Sequence, residues 1–169
     1  EKIALEKSGD EKMRAGNYGD AASDYNAAAR FKNPSGVATN GTDLYVADML
    51  NHTVRKIVIS SGVVSTISGT AGTAGSADGT GTAATFNYPR GIAMDASCIY
   101  VTDYTNHTVR QIEISTAAVS TIAGSAGTTG SSDGTGSEAS FYYPKGITTD
   151  NTDLFAADSN NHTIRKLSP

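Results

Sequence analysis

The sequence predicts a mainly β fold made of repeated four-stranded antiparallel units, preceded by a short α-helical segment. Phe31, Phe86 and Phe141 each open a unit, and the units repeat at an interval of 55 residues. Within each unit, short β-branched or aromatic segments are bounded by Gly, Asn, Asp or Ser, which is the pattern of strands joined by turns. A repeat this regular determines the architecture, because each unit must bury its apolar face against the neighbouring units.

Each unit divides into strand-length segments. In the first unit, residues 31–85, we predict strands at 36–39, 44–47, 54–59 and 63–67. The second unit, residues 86–140, gives the matching set 91–94, 99–102, 109–114 and 119–122. The third, residues 141–169, supplies only 146–149, 154–157 and 164–167. Four antiparallel strands form one blade of a β-propeller, so the sequence predicts a partial propeller of about three blades, the last lacking its outermost strand.

Residues 1–30 do not repeat cleanly and allow two interpretations. Their Ala, Glu, Lys and Met content favours helix, and Gly16, Tyr18 and Ala21 fall where a tetratricopeptide-like helical hairpin keeps small and aromatic residues. The preferred interpretation is such a hairpin, acting as a capping segment. In the other, residues 2–7 form a strand and residues 8–30 are a degraded Gly-rich linker. The chain begins at Glu1 without a signal-peptide pattern, so we expect a processed product or a piece of a longer one.

Charge and composition exclude several function classes. The chain has a formal net charge of −4, and residues 31–169 are themselves mildly acidic, so a nucleic-acid partner is not expected. No apolar run approaches the ~20 residues that span a bilayer, so we expect no membrane span. Cys98 is the single cysteine and is expected to be a small buried hydrophobe.

A known repeat matches these strings. Phe31-x-x-Pro34-x-Gly36, followed by Tyr45-Val46-Ala47-Asp48 and then Asn51-His52-Thr53-Val54-Arg55, resembles the NHL repeat, with Thr in the third place of the name-giving triplet. The resemblance covers residues 31–169. It implies a β-propeller, usually of six blades, so that this chain would supply about half a ring. Similar Gly-rich linkers occur in bacterial proteins of this kind, which implies an extracellular or cell-envelope location.

Twelve residues form the repeated motif, four per unit. The three histidines of the chain occupy equivalent positions on successive blades, so they are spread around the ring instead of converging on one metal ion. We predict a structural role in which the motif closes the turn between the second and third strands. Asn tolerates the turn conformation, and Asp and Arg can pair across it. The set is Asp48, Asn51, His52, Arg55, Asp103, Asn106, His107, Arg110, Asp158, Asn161, His162 and Arg165.

The Gly-rich linkers 68–85 and 123–140 are predicted to form turns. They contain no Lys and precede a strand, unlike a phosphate-binding loop. Asp78 and Asp133 give each linker one carboxylate, far fewer oxygens than a calcium ion needs. We therefore expect no metal or cofactor. The linkers should emerge at the same end as the Asn-His turns, which makes that end the better candidate for a ligand.

The functional prediction is a non-catalytic scaffold. Partial propellers expose two blade faces, so we expect this chain to self-associate, by ring completion or as a head-to-tail filament, or to belong to a longer propeller with a protein partner. The alternative is a peptide- or glycan-binding module that uses loop residues departing from the repeat. These are Met49, Leu50, Tyr104, Thr105, Ser159 and Asn160. An enzyme would require acid, base or metal ligands from blades outside this sequence.

Overall fold

The fold is mainly β and antiparallel, which confirms that part of the predicted fold class. The computed structural model describes residues 30–168. The predicted helical hairpin at residues 1–30 lies, apart from Arg30, outside the described residues, and it stays a prediction. Three sheets follow one another along the chain, and we name them blade 1, blade 2 and blade 3.

Blades 1 and 2 each contain a four-stranded meander. Blade 1 has the order β1-β2-β3-β4, with β1 at Pro34–Thr39, β2 at Asp43–Asp48, β3 at Thr53–Val58 and β4 at Val63–Ser68. Blade 2 repeats this with β6 at Pro89–Met94, β7 at Cys98–Asp103, β8 at Thr108–Glu113 and β9 at Ala118–Ala123. A short fifth strand, β5 at Gly79–Thr80, pairs with β9 on the outer edge of blade 2.

Blade 3 contains three strands among the described residues. They are β10 at Pro144–Thr149, β11 at Leu154–Asp158 and β12 at Thr163–Leu167, in that order across the sheet. The first strand of every blade begins at a proline, two residues before the predicted start. Pro34 pairs with Asp48, and a bulge follows before regular pairing resumes at Gly36. Proline is tolerated at the first position of a strand because its missing N–H costs no ladder hydrogen bond there.

The first strands of neighbouring blades pack against each other at two blade joints, β1 with β6 and β6 with β10. The approach is close, because a methyl group added at Gly36 would lie 2.7 Å from the carbonyl oxygen of Arg90. At the second joint, a methyl group at Gly91 would overlap the carbonyl oxygen of Lys145. Glycine at these two positions lets the strands meet at backbone distance.

The hydrophobic core also lies between blades. The largest cluster joins Tyr45, Ala47 and Val54 of blade 1 to Ile92, Ile99, Val101, Ile112 and Val119 of blade 2 and to Ala84 and Phe86 of the preceding linker. Each blade therefore uses its neighbour to bury its apolar face, as expected for a repeat protein. Cys98 is buried and packs with Tyr100 and Leu154.

Candidate functional site

The motif residues of blade 2 form a buried polar cluster where β7 ends. One carboxylate oxygen of Asp103 accepts the backbone N–H of Asn87 at 2.7 Å. The other accepts the Asn106 side-chain amide at 2.8 Å and the Arg110 guanidinium at 2.9 Å. Asp103 and Arg110 are fully buried. Burial raises the pKa of Asp103 to about 6, against the lowering effect of the Asn87 N–H and the Arg110 charge.

Arg110 also ties the Gly-rich linker to blade 2. Its second terminal nitrogen donates to the carbonyl oxygen of Ala77 at 3.0 Å and to the Asp78 carboxylate at 2.7 Å. The first terminal nitrogen donates to the carbonyl oxygen of Thr85 at 3.1 Å, and the guanidinium lies 5.1 Å from the ring centroid of Phe86. A planar guanidinium with donors on both edges suits this role, which an ammonium group could not fill.

Blade 3 repeats the cluster at its own positions. Asp158 accepts hydrogen bonds from the Tyr142 N–H at 2.7 Å, the Asn161 amide at 2.8 Å and Arg165 at 3.1 Å. Arg165 in turn donates to Asp133 at 2.7 Å and lies 5.1 Å from the ring centroid of Phe141. The same five contact types therefore recur in both blades.

Blade 1 keeps the core of the cluster with a longer ion pair. Asp48 accepts the Lys32 N–H at 2.6 Å and the Asn51 amide at 2.8 Å. The Arg55–Asp48 distance is 3.4 Å, and the Arg55 guanidinium lies 5.4 Å from the Phe31 ring centroid.

The linker arrangement was missed by the sequence prediction, which treated residues 68–85 and 123–140 as turns alone. The linker before blade 2 also supplies β5, and Asp78 accepts both the backbone N–H and the hydroxyl of Thr121 on β9, at 3.2 and 3.0 Å. The linker thus runs along the outer edge of the blade that follows it. A signal existed in the sequence, because an Asp precedes the motif Arg by 32 residues in both Asp78–Arg110 and Asp133–Arg165.

The histidines, not the asparagines, adopt the left-handed turn conformation. His52, His107 and His162 have φ values of 58°, 59° and 57°, whereas the motif Asn side chains donate to Asp. Asn was expected only to tolerate such a conformation, and in the structure His adopts it. His is one of the few non-glycine residue types enriched at positive φ.

Two of the histidines also bridge the blade joints. The backbone N–H of Tyr88 donates to Nδ1 of His52 at 3.2 Å, and that of Tyr143 donates to Nδ1 of His107 at 3.1 Å. An imidazole nitrogen accepts only while it is unprotonated. Burial lowers the pKa of both His52 and His107, which favours the neutral form that the bridge requires.

The candidate loop residues lie beside these histidines, at what we call the turn end of the blades: the end bearing the β2–β3, β7–β8 and β11–β12 turns. Met49 and Leu50 belong to a 3₁₀ turn at Met49–Asn51, and Ser159 and Asn160 to another at Ser159–Asn161. In each turn one backbone N–H donates to a carbonyl oxygen of the segment just before the first strand of the same blade. The pairs are Leu50 to Lys32, Thr105 to Asn87 and Asn160 to Tyr142. All six side chains except the exposed Asn160 are half-buried.

Within residues 30–168, no group of three or more His, Cys, Asp or Glu side chains is placed to hold a metal ion. No helix in this part of the chain is long and apolar enough to cross a membrane.

The three sheets and the repeated cluster define a repeat protein of β-propeller type, and the comparisons show similarity to NHL repeat proteins. No family model matches the chain. Among curated proteins, it is 29% identical over 167 residues to the human protein NHL repeat-containing protein 2, an alignment covering 90% of this chain and 23% of the relative. The chain thus spans about a quarter of that relative.

Two solved structures from Bacteroides thetaiotaomicron resemble the fold. One is a structural genomics protein of unknown function, 29% identical with a TM-score of 0.70, covering 76% of this chain and 32% of that one. The other is an auxiliary nutrient binding protein, 25% identical with a TM-score of 0.68, covering 79% of this chain and 36% of that one.

Proposed function

We propose that this chain is a non-catalytic propeller scaffold whose two open blade faces each accept a further blade, from a second copy or from a longer chain. The contrast in exposure at matched positions carries this proposal. Ile164 on β12 is 71% exposed, whereas Val54 and Val109 at the same position in blades 1 and 2 are fully buried. At the opposite face, Val37 is 67% exposed while its counterpart Ile92 is 7% exposed.

The internal joints provide the template for this contact. Asn33 matches Tyr88 and Tyr143 in the repeat and shares their left-handed backbone, with φ values of 55°, 58° and 53°. His162 is exposed at the other face. A head-to-tail neighbour would bring the Asn33 N–H to Nδ1 of His162, repeating the bond that His52 and His107 accept. The same contact would bury Val37 and Ile164.

The similarity to NHL repeat-containing protein 2 and to a nutrient-binding protein supports a binding or scaffold role in place of catalysis. The motif Asp and Arg side chains engage one another and the linkers, which is consistent with structural use. An extracellular or envelope location belongs to the same proposal and is based on the Gly/Thr/Ser-rich, mildly acidic repeats alone.

The test is the mass in solution of residues 1–169, measured by light scattering, for the parent chain and for Ile164→Asp. We expect a dimer if two half-rings close, or open-ended species if the contact is offset, and Ile164→Asp should return either to monomer. Ile59→Asp is the matched control, because Ile59 is also an exposed isoleucine but lies in the β3–β4 turn, away from the blade faces. A parent chain that is monomeric at all concentrations would refute self-association.

A second experiment addresses residues 1–30. We further propose that residues 1–30 cover the exposed sheet edge of a neighbouring copy. Their deletion should then abolish assembly while the β signature of residues 31–169 persists in circular dichroism. Unchanged assembly of the truncated chain would remove the segment from the proposal and leave the blade faces as the contact.

A further inference from the structure

Three tyrosines form a continuous row at the turn end, between blades 2 and 3. The ring centroids of Tyr104 and Tyr143 are 4.7 Å apart with an interplanar angle of 37°. Those of Tyr143 and Tyr142 are 5.1 Å apart at 33°. Tyr104 and Tyr143 are half-buried, and Tyr142 is exposed. Because the rings stack on one another, the row presents mainly ring edges to solvent, and Tyr142 at its end is the exposed ring.

Contacts with His107 and Asp158 fix the positions of Tyr142 and Tyr143. His107 packs edge-on against Tyr143 at 4.5 Å and accepts its backbone N–H. The backbone N–H of Tyr142 donates to the buried Asp158. Because the backbones that carry these rings are fixed by the motif clusters, a ligand that stacks on the row would pay little ordering entropy.

A cation stands at one end of the row. The Arg90 guanidinium lies over the Tyr104 ring, 5.1 Å from its centroid. Among the described residues, no carboxylate is paired with Arg90, in contrast to the motif arginines Arg55, Arg110 and Arg165. Stacking leaves the in-plane N–H donors of a guanidinium free at its edge. These donors have the geometry to hold a carboxylate with two parallel hydrogen bonds.

The charged side chains near the row that are not buried are positive, like Arg90. Lys145 occupies on β10 the position that Arg90 occupies on β6, and it too forms no ion pair with a described residue. Lys32 is exposed at the same end. The strand-end carboxylates Asp48, Asp103 and Asp158 are buried and already engaged. The turn end is thus locally basic on a chain whose net charge is −4.

The row is specific to one joint. Met49 and Ser159 stand where blade 2 has Tyr104, and Lys32 and Asn87 stand where blade 3 has Tyr142. Tyr143 has an aromatic counterpart in Tyr88, which packs on His52 as Tyr143 packs on His107. The motif clusters beneath these positions are the same in every blade. Residues needed for the scaffold repeat, whereas Tyr104 and Tyr142 occur at this joint alone among the described blades, as expected of residues that serve a ligand.

We propose that Arg90, Tyr104, Tyr142 and Tyr143 form a binding site for an acidic saccharide. A pyranose ring would pack on the exposed Tyr142 at one end of the row, and a carboxylate further along the same oligomer would lie on Arg90 at the other end. Rigid tyrosines provide a large amphipathic contact area, and the described residues at this end offer no unpaired carboxylate for a basic ligand. The site is independent of the open blade faces and does not depend on self-association.

The test uses an α-1,4-linked galacturonate tetramer as the probe, with its fully methyl-esterified form as the neutral counterpart. The sequence contains eight Tyr and no Trp, so tyrosine fluorescence reports stacking directly, and calorimetry gives the affinity. We expect the acid form to bind at least tenfold more tightly than the ester, since a charge-assisted bidentate pair contributes about this much. Arg90→Gln should weaken binding of the acid at least tenfold, and Tyr104→Ala about tenfold.

Matched variants decide between this site and general charge attraction. Lys32→Gln removes one positive charge from the same end and should change affinity less than twofold, and Met49→Ala, at the position matching Tyr104, should have no effect. The proposal is overturned if no binding is detected, if Lys32→Gln weakens binding as much as Arg90→Gln, or if acid and ester bind equally. Equal binding of an acetylated tetra-glutamate peptide would refute the saccharide assignment.

Discussion

Arg110 is fully buried in blade 2 together with its partner Asp103. Burying a guanidinium is unfavourable unless its donors are satisfied, and four acceptors satisfy the two terminal nitrogens. Only Nε lacks a partner. The residue therefore acts as a structural crosslink between a strand, a turn and a linker.

Arg110→Met should destabilise the fold by about 3–5 kcal/mol, because it leaves the buried Asp103 carboxylate uncompensated. Chemical denaturation measures this change. Arg165→Met is the matched comparison in blade 3. It also leaves a buried carboxylate, Asp158, without its cation, but the Arg165 side chain is 11% exposed and that of Arg110 is 0% exposed. Solvent can therefore offset more of the loss, which should be smaller. Equal losses of unfolding free energy would show that burial of the guanidinium does not set the size of its contribution to stability.

The histidine bridges predict a pH dependence. Burial lowers the folded-state pKa of His52 and His107, so the unfolded chain binds more protons between that pKa and about 6.5. Stability should therefore be full above about pH 6.5 and fall as the pH drops below it. The double variant His52→Asn/His107→Asn keeps an acceptor and tolerates positive φ but does not titrate. Unfolding free energies of the two proteins should diverge below pH 6.5; parallel curves would contradict the bridge.

At the scale of elements, the Gly-rich linker acts as an outer strand. β5 pairs with β9, and Asp78 caps this edge through Thr121 and Arg110. The edge of blade 2 is thereby covered by chain instead of being left with unpaired groups.

Asp78→Ala should release the linker from blade 2. We expect faster hydrogen exchange at the Thr121 amide, which loses its acceptor, and a stability loss of about 1–3 kcal/mol from the buried Arg110. Asp133→Ala is the control in blade 3, since that carboxylate is 96% exposed, and it should alter stability less. Unchanged exchange at Thr121 would show that the β5–β9 pairing alone holds the edge.

The blade joints depend on glycine in the first strands. Gly91→Ala should destabilise the fold by about 1–3 kcal/mol through overpacking against β10. At the matching position of blade 3, a methyl group on Gly146 would have its nearest described neighbour, the Ala157 side chain, at 3.8 Å. Gly146→Ala should therefore leave monomer stability within about 0.5 kcal/mol, as measured by thermal unfolding. If both substitutions are neutral, the joint is looser than these distances imply.

For the molecule as a whole, the internal joints cover the apolar side chains that correspond to Val37 and Ile164. These two side chains stay exposed on the outer faces of blades 1 and 3. If those faces meet in solution, the melting temperature should rise with protein concentration, because assembly stabilises the folded state by mass action. Calorimetry over a hundredfold concentration range measures this, and Ile164→Asp should abolish the dependence. A concentration-independent midpoint in the parent chain would argue against assembly.

Much of this architecture could be predicted from the sequence because a 55-residue repeat presents each structural signal several times. The strands at β2, β3, β7 and β8 follow from β-branched runs bounded by turn residues. The role of His107 could not be predicted, because the group that its Nδ1 accepts from, the Tyr143 N–H, lies 36 residues away in the sequence. Neither could β5, since the two residues Gly79–Thr80 are too short for a strand pattern and pair with β9, which lies about 40 residues further along the chain.

The sequence by itself determined the repeat, the mainly β class and the resemblance to NHL proteins, because these depend on local pattern and spacing. Only the tertiary structure decided what spacing cannot encode: that the linker joins the following blade, that histidine bridges the joints, and that Arg90 meets a tyrosine row built from two blades. Local propensity is a property of neighbouring residues, whereas burial, ion pairing and ring stacking depend on which distant residues the packed blades bring together.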